Sequence, residues 1–106
     1  MGKYLVVASY TVEGAKGVAK NGGSARVAAA DELIKSVGGK METFYFAFGK
    51  DDVYLIADVP DHASVVALSM AVNTSGMVTC HVVPLITAEE VDMATKKTVT
   101  YRAPGK

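Results

Sequence analysis

The sequence predicts an α+β fold built on one four-stranded antiparallel sheet, and two features of the chain support this fold class. Segments of strand and helix type follow one another in the order strand, helix, strand, strand, helix, strand, with a further helix near the C-terminus. This is the βαββαβ order of ferredoxin-like domains. The chain has 106 residues, of which 50% are hydrophobic, as expected for one domain with one core. We therefore treat residues 1–106 as a single domain.

A change in hydrophobic period separates the first strand from the first helix. β-branched and aromatic residues dominate from Lys3 to Val12, which predicts a strand, and a glycine-rich connection follows it. From Ser24 onward apolar residues recur every three or four positions, which predicts an amphipathic helix with Ser24 as its N-cap. Gly38 and Gly39 are expected to end this helix.

Two further strands form a predicted hairpin. Met41–Phe48 and Val53–Val59 are rich in strand-forming residues, and the short segment Gly49–Asp52 between them fits a tight turn. With Phe48 opposite Val53, strand alternation places two sets of side chains on opposite faces. One face receives Phe44, Phe46, Phe48, Val53, Leu55 and Ala57, and the other receives Tyr45, Ala47, Tyr54, Ile56 and Asp58.

The last part of the chain predicts a helix, a strand and a short helix. Asp61 is placed to cap a helix that runs through Val72 to the breaker Thr74-Ser75-Gly76 and is apolar on nearly every side. Met77–Ile86 follows as the fourth strand. Thr87 and Glu90 have the spacing of a capping box, which predicts a helix ending near Lys97. The polar tail beyond it is expected to be either a solvated segment or an arm that wraps a dimer.

One face of the predicted sheet has no helix to cover it, because the two crossover helices of this topology pack on the same face. The uncovered face carries Tyr45, Ala47, Tyr54 and Ile56 together with the alternate residues Thr79, His81, Val83 and Leu85 of the fourth strand. A continuous apolar surface of this kind usually marks an interface. We therefore expect the chain to associate with itself as a homodimer or a higher oligomer. In the simplest arrangement two sheets pack face to face as a dimeric α/β barrel around a cavity.

Nearly the whole chain resembles the GYD family, small bacterial proteins named for a Gly-x-Tyr-Asp turn between their second and third strands. The resemblance rests on Tyr4-Leu5, Ser9-Tyr10-Thr11, Glu13-Gly14, Gly38-Gly39-Lys40, Phe44-Tyr45, Phe48-Gly49, Asp52-Val53-Tyr54, Pro60-Asp61 and Thr87-Ala88-Glu89-Glu90. The turn of this chain reads Gly49-Lys50-Asp51-Asp52, so Asp51 stands at the family's tyrosine position. The resemblance implies a dimeric α/β barrel but no particular reaction, since related barrels include cofactor-free oxygenases as well as ligand-binding modules.

The polar residues of the uncovered face are the candidate ligand pocket. Alternation places Tyr45, Tyr54, Asp58 and His81 there, where a phenol can orient a polar ligand and the His81 imidazole can act as a catalytic base. Ser9 joins the set only if its side of the first strand faces the same way, which alternation alone leaves open. The alternative is that these side chains hydrogen-bond one another inside a dimer interface.

The start of the first predicted helix is a candidate anion site. The backbone amides of Gly22, Gly23 and Ser24 lie at this helix N-terminus, which favours negative charge. Three basic residues are close by in sequence: Lys16, Lys20 and Arg26. The spacing is not that of a nucleotide-binding loop, because Gly23 stands where the lysine should precede the serine. A plain flexible loop is the alternative.

Composition argues against several classes of partner. Eleven basic and eleven acidic residues give a net charge of zero, so we expect no nucleic-acid partner. An RNA-recognition domain has the same element order, but its third strand should be basic and aromatic, whereas this one follows Asp51 and Asp52 and contains Asp58. Neither a signal peptide nor a membrane-spanning run is present, so we expect a cytoplasmic protein without a membrane partner.

The cysteine and the histidines do not suggest a metal site. Cys80 and His81 are consecutive in a predicted strand, so they point to opposite faces and cannot share an ion. Cys80 is expected to be a buried structural thiol and His62 a solvated residue after the Asp61 cap. We therefore expect neither a metal nor a cofactor.

These observations favour a homo-oligomeric module that binds a small organic molecule. One alternative is a cofactor-independent enzyme of oxygenase or isomerase type, in which His81 is the base and a small aromatic or carbonyl compound is the substrate. The other is a structural or regulatory assembly unit whose interior is filled by its own side chains.

Overall fold

The structure, a computed structural model, describes residues 2–106. Its elements are β1 (Gly2–Tyr10), α1 (Val12–Asn21), α2 (Gly23–Ser36), β2 (Lys40–Phe46), β3 (Val53–Val59), α3 (His62–Thr74), β4 (Val78–Leu85) and α4 (Ala88–Thr95). The strands form one open antiparallel sheet in the order β2-β3-β1-β4. This α+β arrangement is compatible with a ferredoxin-like fold, so the predicted fold class is confirmed.

α2 and α3 pack on one face of the sheet, which we call the helical face. The core cluster there consists of Tyr4, Ile34, Val53, Leu55, Ala57, Val59, Val65 and Leu68. We call the opposite face, which carries Leu5, Val7, Ile56 and Val83, the open face. Val7 lies outside the core cluster, yet it is only 4% exposed. Its exposure is low because Tyr54 and His81 flank it on the neighbouring strands.

Several predicted element boundaries are confirmed. β3 has the predicted bounds Val53–Val59, and α3 ends at Thr74, the first residue of the predicted helix breaker. Asp61 caps α3, since its Oδ1 accepts the backbone N–H of Ser64 at 2.8 Å. Thr87 and Glu90 form the predicted capping box at the start of α4. Short polar side chains therefore marked the starts of α3 and α4 correctly.

α3 is apolar on nearly every side, as predicted, although only part of it is covered. Val65 and Leu68 are buried against the sheet, whereas Val66 and Met70 on the outer side are exposed. With 13 residues, α3 is too short to cross a membrane. Within residues 2–106 no helix combines the length and the apolar character that a membrane span needs.

The glycine-rich connection after the first strand is a helix, which the sequence did not predict. Thr11 caps α1, because its side-chain oxygen accepts the N–H of Gly14 at 3.2 Å. The same residue fixes α1 to the end of α3: the Thr11 N–H donates to the Met77 carbonyl at 3.0 Å, and its hydroxyl donates to the Gly76 carbonyl at 2.8 Å. Gly14 allows this approach, since a Cβ there would lie 1.9 Å from the Met77 oxygen. Close packing and capping therefore outweigh the low helix propensity of glycine.

Two further predictions need correction. Gly22, with φ of 85°, is the N-cap residue of α2, and Ser24 lies inside the helix rather than capping it. Phe46 rather than Phe48 pairs with Val53, and Phe48 lies beyond the strand with its side chain fully exposed. The two-residue difference in register keeps every paired side chain on its predicted face, because strand alternation has a period of two.

The segment from residue 86 to 106, which we call the C-terminal arm, extends away from the body. The radius of gyration is 17.0 Å, whereas a compact domain of this length has about 13 Å. α4 makes no substantial contact with the other described elements. The arm exposes the apolar side chains Ile86, Val91, Met93, Val99 and Tyr101. Its helix is therefore capped but unsupported by the rest of the chain.

Candidate functional site

Three of the predicted pocket residues lie in one row across the open face. Tyr45 is opposite Tyr54, Tyr54 is opposite Val7, and Val7 is opposite His81. Neighbouring strands are about 4.8 Å apart, so the two tyrosines are adjacent and His81 lies about 10 Å from Tyr54, beyond Val7. Tyr45, Tyr54 and His81 are all exposed. The row therefore crosses the open face, with the apolar residues Leu5, Ile56 and Val83 along one side of it.

Asp58 shares the open face but not the row. It pairs with Lys3, four residues along β3 from Tyr54, which corresponds to about 13 Å. Lys3 reaches across the sheet to form a salt bridge with Glu42, which lies at the register shift in β2. The hydrogen bond that Lys3 donates to Glu42 is the main cause that raises the Lys3 pKa, and the charge of Asp58 adds to it. Asp58 Oδ1 is buried without a hydrogen-bond partner.

A hydrogen-bonded Tyr4–His62 pair lies at the same end of the sheet. The Tyr4 hydroxyl is 2.7 Å from His62 Nδ1, and the two rings meet nearly edge to face. Both residues line a cavity of about 420 Å³ together with Lys3 and Asp58. His62 is exposed, as predicted, but sequence reasoning missed its partner because 58 positions separate the two residues. The available signal was Tyr4 itself, since a buried tyrosine hydroxyl usually finds a partner.

The predicted anion-site residues lie at the junction of α1 and α2. The Gly22 N–H donates to the Val18 carbonyl at 2.7 Å, so this amide belongs to the end of α1. Gly23 lies against the ring of Phe46, where a Cβ would approach Cε2 to 3.0 Å. Ser24 is exposed in the first turn of α2. An anion at this junction stays a prediction.

Cys80 and His81 point to opposite faces of β4, as strand alternation predicts. Cys80 lies on the helical side, where its Sγ is 3.9 Å from Ser69 Oγ, and it is partly buried. Within residues 2–106, no group of three histidine, cysteine or acidic side chains is arranged to hold a metal ion.

Comparison with known proteins identifies the family. The family model of the GYD domain matches residues 4–95 of the 106-residue chain. The chain belongs to the GYD family. No curated protein and no solved structure gives a significant match.

The turn that gives the GYD family its name is tied to β1 in this protein. Asp51, at the family's tyrosine position, accepts a hydrogen bond from the Ser9 hydroxyl at 2.8 Å. Asp52 accepts the Tyr10 N–H at 2.9 Å, and its own N–H donates to the Ala8 carbonyl at 2.9 Å. Ser9 lies on the open face, next to the row of Tyr45, Tyr54 and His81. Its hydroxyl is already hydrogen-bonded to Asp51.

The open-face row is suited to binding more clearly than to catalysis. A phenol can donate and accept hydrogen bonds, and its ring provides a flat apolar surface. A histidine that acts as a base needs a partner that orients its ring. Among the described residues no side chain hydrogen-bonds His81, whereas His62 has such a partner in Tyr4. The row thus supplies contact surface and polar anchors.

Proposed function

We propose that this GYD-family protein is a cytoplasmic homo-oligomer, at least a dimer, that binds a small organic molecule on its open face. The single observation that carries the proposal is the row of Tyr45, Tyr54 and His81, which runs beside the apolar residues Leu5, Ile56 and Val83 of the open face. The helices that form the core with the sheet pack on the other face, so the open face is available to a partner.

The apolar character of the open face supports self-association. Leu5, Val7, Ile56 and Val83 occupy the positions around the row. Val83, on the edge strand β4, is 40% exposed and so offers apolar surface to a partner. Apolar patches that are this continuous are uncommon on monomers. A second copy covers the face in the simplest way, because the same surface then meets itself across a two-fold axis.

The C-terminal arm independently supports a second copy. An isolated helix as short as the eight residues of α4 is marginal in water. The capping box stabilises its start, but the chain's own body does not cover Val91 or Met93. We propose that the arm packs on a neighbouring copy, which buries these side chains and accounts for the elongated protomer.

The ligand is proposed to be a small planar compound with polar substituents, such as an aromatic aldehyde or ketone. Two sheets packed face to face are about 10 Å apart, which leaves room between them for flat molecules where side chains are small. Tyr45 and Tyr54 supply ring surfaces and hydroxyls, and His81 lies at the far end of the row. Few polar groups on an apolar floor are typical of small-molecule sites.

Light scattering after gel filtration tests the self-association. The wild-type protein is expected to have at least twice the protomer mass. Val83→Glu places a charge on the open face and is expected to give monomers, whereas the matched control Val12→Glu, on exposed α1, is expected to keep the wild-type mass. A monomeric wild type, or a Val83→Glu variant of unchanged mass, contradicts the proposed interface.

Ligand binding is tested separately. Native mass spectrometry of gently purified protein is expected to show a retained small-molecule mass, and a panel of small aromatic aldehydes and ketones is expected to raise the melting temperature. Tyr54→Phe is expected to reduce the shift while leaving the oligomer mass unchanged. An oligomer that retains no mass and responds to no member of the panel supports the assembly-unit alternative instead.

A further inference from the structure

An apolar cavity lies on the helical face, on the other side of the sheet from the proposed open-face site. α2 packs mainly against β2, and α3 packs mainly against β4, so a gap stays open over the middle of the sheet. The gap encloses about 320 Å³. Its walls include Ala8 and Leu55 from the central strands, Ala30 from α2, Val72 from α3 and Cys80 from β4. We call this space the Arg26 cavity, after the one charged residue in its wall.

Arg26 places an unpaired cationic group at this cavity. Its Nε is buried and has no hydrogen-bond partner. The salt bridges within residues 2–106 are Lys3–Glu42, Lys16–Glu13 and Lys35–Asp31, so no carboxylate neutralises Arg26. A buried donor without an acceptor is costly, and a cationic one more so. A ligand that supplies the acceptor recovers this cost.

Arg26 also lines a second cavity, of about 190 Å³. This cavity shares Arg26, Tyr10, Met77 and Val78 with the first and is also lined by Glu13 and Asn21 of α1. Arg26 therefore borders both cavities. Glu13 is engaged with Lys16, with 3.5 Å between Oε1 and Nζ.

We propose that the Arg26 cavity binds a small amphipathic carboxylate, with its hydrocarbon part in the apolar chamber and its carboxylate on Arg26. The planar guanidinium presents a fork of N–H donors that matches the two oxygens of a carboxylate. The volume of about 320 Å³ lies at the lower end of the range for small-molecule sites. A neutral ligand of the same shape leaves the buried Nε unpaired. The site should therefore prefer a carboxylate to the corresponding alcohol.

Calorimetric titration with octanoate and with 1-octanol tests this preference. The wild-type protein is expected to bind octanoate about tenfold or more tightly than octanol, the factor typical of hydrogen bonds to a charged group. Arg26→Met keeps an apolar chain of similar length and is expected to bind both ligands with equal affinity, at the level of wild-type octanol binding. Its melting temperature without ligand is expected to equal or exceed that of the wild type, since the variant removes an unpaired buried donor.

Two controls locate the ligand. Ala30→Leu adds volume inside the cavity on a helix that tolerates leucine and is expected to weaken both ligands. Tyr54→Phe alters only the open face and is expected to leave octanoate affinity unchanged.

Cys80, the one cysteine of the chain, lines the cavity, so octanoate is expected to slow its alkylation by N-ethylmaleimide in the wild type. The same octanoate concentration should protect the thiol less in Arg26→Met.

Two results overturn the proposal. The first is a wild type that binds octanoate no more tightly than octanol, or that binds neither. The second is octanoate binding that survives both Arg26→Met and Ala30→Leu but is lost in Tyr54→Phe, which assigns the ligand to the open face. Failure of the open-face proposal is distinct from either result, because it is measured by oligomer mass and by aromatic ligands.

Discussion

Two glycines of α1 offer a matched test of how this helix is fixed to the body. A Cβ at Gly14 would lie 1.9 Å from the Met77 carbonyl oxygen, whereas ordinary contacts begin near 3.4 Å. A Cβ at Gly17, in the same helix, meets no atom within 4 Å. Gly14→Ala and Gly17→Ala therefore make the same chemical change in two different surroundings.

The structure gives the expected magnitudes. Gly17→Ala is expected to stabilise the protein by about 0.5–1 kcal/mol, because alanine is the better helix former. Gly14→Ala gains the same amount but moves α1 away from Met77, which breaks the two bonds that Thr11 donates to the Gly76 and Met77 carbonyls. At about 0.5–1.5 kcal/mol for each bond, the loss of about 1–3 kcal/mol outweighs the gain, and the net destabilisation is up to about 2.5 kcal/mol.

Thermal unfolding at one fixed protein concentration measures the difference, since concentration affects the melting temperature of an oligomer. Since both variants gain the same helix propensity, the gap between them is the cost of the two bonds, about 1–3 kcal/mol, which corresponds to about 5–15 °C for a domain of this size. Equal rises in melting temperature would refute the reasoning, because they would mean that α1 does not lie against the end of α3. The position of α1 also bears on the proposed carboxylate site, since Gly14 and Gly17 line the second cavity that Arg26 borders.

Three further predictions concern single contacts. The backbone hydrogen bond from Ser64 lowers the Asp61 pKa below its ordinary value of 3.8, so this residue adds stability at neutral pH that is lost as pH falls through the lowered pKa. Asp61→Asn is therefore expected to have a lower melting temperature than the wild type at neutral pH and the same melting temperature in strong acid. A difference in melting temperature that does not change with pH contradicts this. Asp52→Ala is expected to cost about 1–3 kcal/mol in urea unfolding, because the Tyr10 N–H loses its charged acceptor, and no change would mean that the Asp52 carboxylate does not accept this N–H in solution. In a double-mutant cycle, Tyr4→Phe and His62→Ala are expected to couple by about 0.5–1.5 kcal/mol, whereas additive effects would exclude the hydrogen bond in solution.

Local signals in the sequence were enough for much of the fold. The Asp61 cap and the Thr87–Glu90 capping box depend on residues a few positions apart, and both are present as predicted. The faces of the sheet also follow from local alternation and tolerate the two-residue difference in hairpin register. α1 was missed because two glycines in its ten residues lower the helix propensity. What holds α1 in place is its contact with Met77, more than sixty positions away.

The candidate sites also divide into those that local sequence patterns predicted and those that depend on contacts between distant residues. Alternation placed Tyr45, Tyr54 and His81 on one face, and the ladder registers bring them into one row. The Tyr4–His62 pair and the Arg26 cavity depend on how distant elements meet, so no spacing in the sequence could reveal them. Arg26 appeared in the sequence only as one of three basic residues near a glycine-rich segment. Its importance lies in a gap between two helices, which residue order does not encode locally.

The alternation of β1 keeps the two proposed sites apart. Val7 and Ser9 belong to the open face, whereas Val6, Ala8 and Tyr10 line the Arg26 cavity. One strand thus contributes to both sites through opposite sides of its backbone, and β3 and β4 hold that backbone by hydrogen bonds on both edges. Because a fully paired central strand cannot rotate a side chain from one face to the other, a substitution at Tyr54 does not alter the lining of the Arg26 cavity. The structure therefore lets the aromatic ligand, the carboxylate and the second copy be tested one at a time.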